Sequence, residues 1–201
     1  MANNPLRLGV MISGGGTTML NLADKIAKGE LPATIAVVIA SNHHCAGIER
    51  ARKLNLPVVI ITRKESGSLE NFSAKIAATL REHKVDLAVM AGYLSLWTIP
   101  DDYVGRVMNI HPALLPKFGG QGMHGHHVHE AVLAAGETES GCTVHFADNT
   151  YDTGPIIVQR KVPVLPNDTP DTLAARVFEQ ECIAYPDAIH MFAQGTIRMK
   201  R

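Results

Sequence analysis

The sequence predicts an α/β protein with a doubly wound, mostly parallel sheet of the Rossmann-like kind. Strand-like and helix-like stretches alternate through the first hundred residues, and this β-α-β-α order is typical of parallel sheets. The stretch 34–40 is apolar on both faces, as is a strand buried inside such a sheet. A glycine-rich turn at 13–16 joins the first predicted strand to the first predicted helix.

Hydrophobic periodicity defines the elements of the first half. Met19, Leu22, Ala23 and Ile26 recur at helical spacing, and Gly29 follows where a helix should end. In chain order, we predict a strand at 6–12, this first helix, a strand at 34–40, a helix at 47–54, a strand at 58–61, an amphipathic helix through Phe72, Ile76, Thr79 and Leu80, and a strand at 85–91.

The second half follows a different pattern. The predicted elements are a strand at 106–110, a Gly- and His-rich loop at 117–125, a helix at 126–135, strands at 142–147 and 156–164, and a closing helix at 172–194 that bends near Pro186. The connection between the last two strands is short enough to join antiparallel neighbours, so we expect antiparallel strands in this half. We predict a single domain over 1–201, with an N-terminal half (about 1–100) and a C-terminal half (about 101–201).

The composition excludes several classes of protein. Of 201 residues, 19 are Lys or Arg and 19 are Asp or Glu, so the formal net charge is zero. Proteins that bind nucleic acid through its phosphates usually carry a basic excess, so we expect no nucleic-acid partner. No apolar run approaches the roughly 20 residues that cross a bilayer, and the start does not resemble a signal peptide. Three widely spaced cysteines indicate reduced thiols, so we predict a cytoplasmic protein with no membrane partner.

The glycine-rich turn is a candidate phosphate site. Gly14, Gly15 and Gly16 precede Thr17 and Thr18 at the start of the first predicted helix. Helix N-termini carry unpaired N–H groups and partial positive charge, and glycines let a phosphate approach the backbone. The turn matches neither the dinucleotide-binding pattern nor the Walker pattern, which needs a lysine. The alternative is a tight turn in which Thr17 or Thr18 caps the helix.

A second candidate site follows the strand at 106–110. Asn109 and His111 are two residues apart, so their side chains point to the same face, and Pro112 ends the strand. An amide donor beside an imidazole suits the charge of a tetrahedral intermediate. A carboxylate paired with His111 would hold it protonated near neutral pH, and spacing leaves both Asp148 and Asp152 as candidates. The alternative is that Asn109 and His111 cap backbone groups in a turn.

Histidines cluster between 124 and 129. His124, His126, His127 and His129 occur at spacings that can bind zinc. No cysteine or carboxylate pair at standard ligand spacing accompanies them. We therefore interpret the cluster as a polar loop that enters a helix, and we predict no metal.

The chain as a whole resembles the folate-dependent formyltransferases, and within them most closely those that formylate phosphoribosylglycinamide. The Asn-x-His-Pro motif at 109–112 together with Asp-x-Gly at 152–154 is the most specific part of the match. The matching segments follow the expected order over nearly the whole chain, at 10–17, 91–93, 109–118, 141–146 and 152–157.

The resemblance implies transfer of the formyl group from N10 of 10-formyltetrahydrofolate, as co-substrate, to the amine of 5-phosphoribosylglycinamide in purine biosynthesis. It implies that Asn109 hydrogen-bonds the formyl oxygen, that His111 stabilises the oxyanion and donates a proton, and that Asp152 raises the pKa of His111. The implied ribonucleotide contacts are Gly14, Gly15, Gly16, Thr17, Thr18 and Glu181. The implied folate contacts are Leu94, Ser95, Leu96, Trp97, Asn109, Asp148, Asn149, Thr150, Tyr151 and Asp152. The resemblance thus implies an N-terminal phosphate-binding half (about 1–100) and a C-terminal catalytic and folate half (about 101–201). We accordingly expect two small-molecule substrates and a monomer or homodimer.

The sequence departs from this family in three places. Gly15 and Thr18 stand where relatives often carry asparagine, which would leave a cradle made of backbone groups. On the folate side, Arg63 or Lys64 would have to replace an arginine of the relatives. The loop 119–125 is more glycine-rich than in many relatives, which favours a more mobile lid.

Three other functions fit parts of the sequence. Methionyl-tRNA formyltransferases share the chemistry, but they add a C-terminal tRNA-binding domain and usually a basic surface, and we expect neither here. Formyltetrahydrofolate deformylase, a hydrolase, is the main alternative, although it usually has an additional N-terminal domain. A nucleotide-binding module without catalysis would leave Asn109, His111 and Asp152 unexplained.

Overall fold

The structure, a computed structural model, describes residues 4–199. The chain forms two compact units, and the boundary between them falls between Met108 and Asn109. This boundary lies slightly later in the sequence than the predicted division after residue 100. The first unit carries the glycine-rich turn, and the second carries the Asn-x-His-Pro motif.

The first unit is a parallel sheet with helices in the connections between its strands. Its elements are β1 (Leu6–Ile12), α1 (Thr17–Ala27), β2 (Ala33–Ala40), α2 (Gly47–Lys53), β3 (Val58–Ile60), α3 (Arg63–Ser66), α4 (Leu69–Glu82) and β4 (Leu87–Met90). The strand order is β3-β2-β1-β4, and each neighbouring pair is parallel. Val10 of β1 lies between Val38 and Val89, and all three are fully buried. Apolar and β-branched side chains therefore cover both faces of the central strands, as a buried parallel sheet requires.

The second unit is built around an antiparallel pair of strands. Its elements are β5 (Val107–His111), which begins two residues before the boundary, α5 (His126–Ala134), β6 (Glu139–Phe146), β7 (Ile156–Pro163) and α6 (Pro170–Ala193). The strand order is β5-β6-β7, and β6 and β7 pair antiparallel with Val144 opposite Val158. Helix α6 packs against β6 and β7 through buried residues that include Leu173 and Tyr185.

Two helix starts show different solutions to the unpaired N–H groups of a first turn. At α6, the Thr169 hydroxyl accepts from the Thr172 N–H, and the Thr172 hydroxyl accepts from the Thr169 N–H. At α1, the capping residue is Gly16 in a left-handed conformation with φ 72°, and no side chain of residues 4–199 caps it. The alternative in which Thr17 or Thr18 caps α1 is therefore wrong.

The predicted fold class is confirmed, because the first unit is parallel and the second contains an antiparallel pair. The strand at 6–12 has its predicted bounds, and the other predicted strands and helices with stated bounds differ by three residues or fewer at either end. The largest shift is at β6, which begins at Glu139 rather than at 142. The sequence missed α3 and a single 3₁₀ turn at Asp101–Tyr103, because such short helices show no periodicity. Within residues 4–199, no helix combines the length and the apolar character that crossing a membrane demands.

Candidate active site

Ser13 anchors the glycine-rich turn of the first unit. Its N–H donates to the Gly92 carbonyl at 3.0 Å, and its hydroxyl oxygen accepts from the Leu94 N–H at 2.9 Å. The Ser41 hydroxyl donates to the same oxygen at 2.7 Å, and the Asn42 amide donates to the Ser13 carbonyl at 3.1 Å. Ser13 thus joins the segments that follow β1, β2 and β4, at the strand ends where parallel sheets bind ligands.

The shape of the turn depends on missing side chains. A Cβ at Gly16 would lie 3.0 Å from the Cα of Gly47, whose N–H donates to the Gly14 carbonyl at 3.0 Å. Because no side chain among the described residues caps α1, its first N–H groups are available to an anion. Thr17 is exposed, whereas Thr18 is only 8% exposed and would therefore contribute its backbone rather than its hydroxyl.

The segment implied to bind folate, 94–97, lies in the same unit directly after Tyr93. Leu94 is 48% exposed, Ser95 and Leu96 are partly buried, and Trp97 is buried. In the described part of the chain, neither the Tyr93 hydroxyl nor the Trp97 indole N–H has a hydrogen-bond partner. Burial also raises the pKa of Tyr93 far above its ordinary value, so its hydroxyl stays protonated. Tyr93 and Trp97 therefore provide two buried donors, at and next to this segment, of a kind that native proteins rarely leave unpaired.

The second unit brings together three side chains that the sequence singled out. Asn109 and His111 lie on β5, and Asp152 lies between β6 and β7 with a left-handed φ of 57°. The Asn109 amide donates to Asp152 Oδ1 at 3.2 Å, and Asp152 Oδ2 lies 3.5 Å from His111 Nδ1. His111 is 3% exposed, so the carboxylate and the imidazole meet inside the unit.

His145 on β6 is a fourth member of this cluster, and its role is one that sequence reasoning missed. Its Nε2 lies 3.2 Å from Asn109 Nδ2 and 3.5 Å from Asp152 Oδ1. Its Nδ1 lies 2.9 Å from the Phe146 carbonyl oxygen, which only accepts, so Nδ1 carries a hydrogen. The sequence did contain a signal for His145, because the segment 141–146 is one of those that resemble the family. The resemblance, however, assigned no role to the histidine in that segment.

The loop after β5 supplies further partners to the same groups. His111 Nε2 donates to the Phe118 carbonyl at 2.7 Å, and the Gly120 N–H donates to Asp152 Oδ2 at 3.0 Å. A Cβ at Gly119 would lie 3.3 Å from Asp152 Cβ, so a glycine there lets the loop approach closely. Both ring nitrogens of His111 therefore face an acceptor. The acceptor at Nε2 is the Phe118 carbonyl, which is the kind of backbone contact expected if His111 only caps a turn.

Burial reverses the expected charge of His111. Burial lowers the pKa of His111 by more than the Asp152 carboxylate and the Phe118 carbonyl raise it, and the charge of His145 lowers it further. The expected net rise in the pKa of His111 is therefore wrong, and the imidazole is neutral at pH 7. Burial also acts to raise the pKa of Asp152, but contacts with His145, His111 and the Gly120 N–H lower it overall. The site thus pairs an ionised carboxylate with a neutral imidazole.

The geometry selects Asp152 over Asp148. Asp148 closes a turn of its own, in which its carboxylate accepts from the Thr150 N–H at 2.9 Å and from the Thr153 hydroxyl at 3.0 Å. Gly154 completes the Asp-x-Gly motif for a steric reason, since a Cβ there would lie 1.8 Å from the Phe146 carbonyl oxygen. Of the other residues implied to contact folate in this segment, Asn149 and Thr150 are exposed and Tyr151 is partly buried.

Glu181 lies on α6 and is partly buried. Burial raises its pKa to about 7. Burial and the charge of Glu181 together raise the pKa of the Cys142 thiol to about 12. In the part of the chain that the structure describes, Glu181 forms no hydrogen bond with Asn109, His111 or Asp152. The structure therefore does not bring Glu181 into the cluster around Asp152.

Three cationic side chains near the candidate sites in the sequence contact other groups of the protein. Arg106 donates to backbone carbonyls, among them that of Val85 at 2.7 Å, and so fixes the chain before β5. Lys117 pairs with Glu137 at 2.8 Å. The guanidinium of Arg63 lies 5.9 Å from the centre of the Phe72 ring.

The histidines near α5 are dispersed among carboxylates. His126 Nε2 lies 2.7 Å from Asp171, His127 lies 3.1 Å from Glu130, and His129 is buried. Over residues 4–199, no group of three or more His, Cys, Asp or Glu side chains is arranged to hold a metal ion.

Comparison with known proteins defines the class to which this fold and site belong. The family model described as "Formyl transferase" matches residues 6–189, so the chain belongs to the formyl transferase family.

Similar proteins within the family have a more specific description. Phosphoribosylglycinamide formyltransferase of Haemophilus influenzae is 35% identical over 96% of this chain and 90% of its own length. The chloroplastic enzyme of the same name from Vigna unguiculata is 38% identical over 95% of this chain. The crystal structure of glycinamide ribonucleotide transformylase 1 from Symbiobacterium toebii superposes with a TM-score of 0.89 at 38% identity, covering 96% of this chain and 89% of that one.

Other similar proteins are longer or more distant. The chain spans 62% of the Vigna protein and 14% of the trifunctional purine biosynthetic protein adenosine-3 of Drosophila melanogaster, which is 40% identical over 94% of this chain. A formyltetrahydrofolate deformylase from Pseudomonas syringae has a TM-score of 0.83 at 22% identity, over 95% of this chain and 62% of that one. At that identity the likeness shows the fold alone.

Proposed function

We propose that this chain transfers the formyl group of 10-formyltetrahydrofolate to the amine of 5-phosphoribosylglycinamide, giving 5-phosphoribosyl-N-formylglycinamide and tetrahydrofolate. In this role the two units act together as one formyltransferase domain in de novo purine biosynthesis. The observation that carries the proposal is the Asp152 carboxylate, which accepts from Asn109 at 3.2 Å and lies 3.5 Å from His111, in a chain of the formyl transferase family.

The Asn109 amide and the His111 imidazole provide the electrostatic part of the catalysis. As the amine attacks, negative charge develops on the formyl oxygen, and hydrogen-bond donors directed at that oxygen stabilise it. Asn109 donates to this oxygen in our proposal, in place of one of its contacts with Asp152 and His145. His111 joins it once protonated, and its Nε2 must then leave the Phe118 carbonyl, so the loop around 118–120 has to release this hydrogen bond.

The ionised Asp152 and the neutral His111 provide the proton transfer. The amine nitrogen forms a bond to the formyl carbon and becomes cationic, and it must lose one proton before the bond between that carbon and N10 breaks. Asp152 favours the transfer of this proton to His111, which then donates it to N10 as tetrahydrofolate leaves. A histidine with a lowered pKa is suited to both steps, since it is neutral when it accepts and acidic when it donates.

The substrates are assigned to the segments that the family resemblance implies. The ribonucleotide phosphate binds the backbone of Gly14, Gly15, Gly16, Thr17 and Thr18, and the glycinamide end contacts Glu181. The folate contacts Leu94, Ser95, Leu96, Trp97, Asn109, Asp148, Asn149, Thr150, Tyr151 and Asp152. The buried donors of Tyr93 and Trp97 support a polar ligand at 94–97. We further propose a cytoplasmic monomer or homodimer that uses no metal and binds neither nucleic acid nor membrane.

Incubation with 10-formyltetrahydrofolate, with and without phosphoribosylglycinamide, tests the function. We expect the folate to lose its formyl group only when phosphoribosylglycinamide is present, and we expect the formylated ribonucleotide to form at the same time. Loss of the formyl group to water at the same rate in both mixtures would instead identify a deformylase.

A further inference from the structure

We propose that Arg50 is a cationic part of the phosphate-binding turn and a determinant of affinity for the ribonucleotide. The inference rests on the function proposed above, because it assigns one more residue to the phosphate end of that substrate. Arg50 lies on α2, outside the glycine-rich sequence that predicts the site.

The Arg50 side chain reaches the turn directly. Its Nη1 donates to the Gly15 carbonyl at 2.9 Å, and the side chain is otherwise exposed. A guanidinium has five N–H donors in one plane, and this bond uses one of them. The remaining donors lie beside the turn, where they can bind a phosphate in the bidentate manner typical of arginine.

The charge of Arg50 is not neutralised by any side chain that the structure describes. Among residues 4–199, no carboxylate lies within 4 Å of its guanidinium. Arg52, two residues later on the same helix, pairs with Glu49 at 2.6 Å. Two arginines on one short helix therefore differ in their surroundings, and the one with an uncompensated charge is the one that contacts the turn.

Close packing fixes α2 relative to the turn. A Cβ at Gly47 would lie 2.7 Å from Ile12 Cδ1 and 3.2 Å from both the Gly14 carbonyl oxygen and Gly16 Cα. Gly47 is one helical turn before Arg50, so this contact holds the backbone from which Arg50 extends. The backbone that carries Arg50 is therefore held by the same packing that sets the turn.

Gly15 leaves the guanidinium accessible. A Cβ built at Gly15 would lie 3.6 Å from Arg50 Nη1, so any longer side chain there would lie against the guanidinium. Relatives often carry asparagine at this position, as the resemblance implies. With glycine at 15, a side-chain contact to the phosphate is lost and a cation becomes exposed to it instead.

Steady-state kinetics of Arg50→Met, Arg50→Lys and the control Arg52→Met test the inference. We expect Arg50→Met to raise the KM for phosphoribosylglycinamide about tenfold or more, with the folate KM and kcat within about twofold of the unsubstituted protein. Arg50→Lys should recover only part of the loss, since an ammonium cannot hold the Gly15 carbonyl and a phosphate in one plane. Arg52→Met removes the same charge from the same helix and should leave both KM values unchanged.

A binding experiment separates this inference from the proposed function. Inorganic phosphate is titrated against the isotope-labelled protein while the amide signals of Gly15, Gly16 and Thr17 are followed by NMR. If phosphate changes the chemical shifts of these amides less in Arg50→Met than in Arg52→Met, the result supports the role of Arg50 even if transferase activity is absent. If the Arg50→Met variant is active and its KM for the ribonucleotide is unchanged, the inference about Arg50 is wrong and the proposed transferase function is unaffected. Equal rises in both KM values, with a lowered melting temperature for Arg50→Met and Arg50→Lys alike, would also overturn it, because Arg50 would then only support the fold.

Discussion

The candidate sites of the two units consist of different chemical groups: backbone N–H groups in the first unit and buried side chains in the second. In the first unit, the turn at 13–16 offers backbone N–H groups, and its shape depends on positions without side chains, such as Gly16 against Gly47. In the second unit, buried side chains surround the Asp152 carboxylate, and their charges depend on burial and on one another. The first site is therefore a matter of steric fit, and the second is a matter of proton affinity. Substitutions in the first should change affinity, whereas substitutions in the second should change rate and pH dependence.

The largest expected effect is that of Asp152→Asn. The change keeps the shape of the side chain but removes the charge that raises the pKa of His111, so burial lowers that pKa still further. We expect kcat to fall about a hundredfold or more, the usual scale for loss of a general acid or an oxyanion donor, with little change in ribonucleotide KM. Because His111 must be neutral to accept the proton of the amine, the acidic limb of the pH–rate profile should move to lower pH in Asp152→Asn.

Stopped-flow or steady-state rates across pH 5–8 measure this effect. Asp187→Asn is the control, since Asp187 is an exposed carboxylate of the same unit that pairs with Arg160. A near-normal kcat in Asp152→Asn, with an unaltered pH profile, would mean that Asp152 serves only the loop.

Gly16→Ala should have the largest effect in the first unit. The new Cβ would lie 3.0 Å from Gly47 Cα at a residue whose φ of 72° already disfavours a side chain, so the turn must shift. We expect the ribonucleotide KM to rise about tenfold, with kcat and the folate KM nearly unchanged. Isothermal titration with the ribonucleotide provides a second measurement of the same loss.

Gly29→Ala is the matched control for Gly16→Ala. Gly29 follows the other end of α1 with φ 74°, and a Cβ there meets nothing within 4 Å. It shares the strain of a positive φ without the steric contact, so it should cost less stability and change neither KM. If both alanines raise the ribonucleotide KM equally, backbone strain and not the site explains the effect.

The same contrast explains what the sequence could predict. Strand β1 was predicted at its observed bounds, because a short β-rich run that ends at a glycine turn is a local signal. Asn109 and His111 were predicted on one face from their spacing, which is also local. Asp152 was assigned only through the family resemblance, because 41 positions separate it from His111 and spacing does not favour it over Asp148.

Features that depend on packing across the fold were missed. The contact of His145 with Asn109 joins two strands, and no pattern within either strand indicates it. The bond of Arg50 to Gly15 likewise joins a helix to a distant turn. The lowered pKa of His111 follows from burial, which spacing does not reveal.

A smaller effect is expected from Glu181→Gln, on stability as well as affinity. Burial raises the pKa of Glu181 to about 7, so between its ordinary pKa of 4.5 and pH 7 the folded state binds more protons than the unfolded state. The contribution of Glu181 to stability therefore falls as pH rises through this window. Urea unfolding should show Glu181→Gln gaining about 1 kcal/mol over the unsubstituted protein by pH 8, with the gain levelling off above pH 7. The ribonucleotide KM should rise at the same time if Glu181 contacts the glycinamide.

Glu179→Gln is the control for this substitution, since Glu179 is exposed on the same helix. It should leave the ribonucleotide KM unchanged. A constant difference between Glu181→Gln and the unsubstituted protein from pH 5 to pH 8 would contradict a raised pKa.

The smallest predicted effect separates two histidines on α5. His126 is exposed, and its contacts with Asp171 and Glu130 raise its pKa, so the folded state binds its proton more tightly than the unfolded state does. Its contribution to stability is present below pH 6.5 and is lost as pH rises through the raised pKa. His129 is buried with Nδ1 unpartnered among the described residues, and burial together with the charges of His126 and His111 lowers its pKa.

For His129 the sign is opposite, since the unfolded state binds the proton first and stability falls as pH drops below about 6.5. Urea unfolding between pH 5 and pH 7.5 should therefore show that His129→Gln retains more of its stability on acidification, by no more than about 1.4 kcal/mol per pH unit for one proton. His126→Gln should lose stability more steeply in the same range. Parallel curves for the two variants would mean that these histidines, three residues apart on one helix, have the same surroundings in solution, and that burial does not control proton affinity in the second unit.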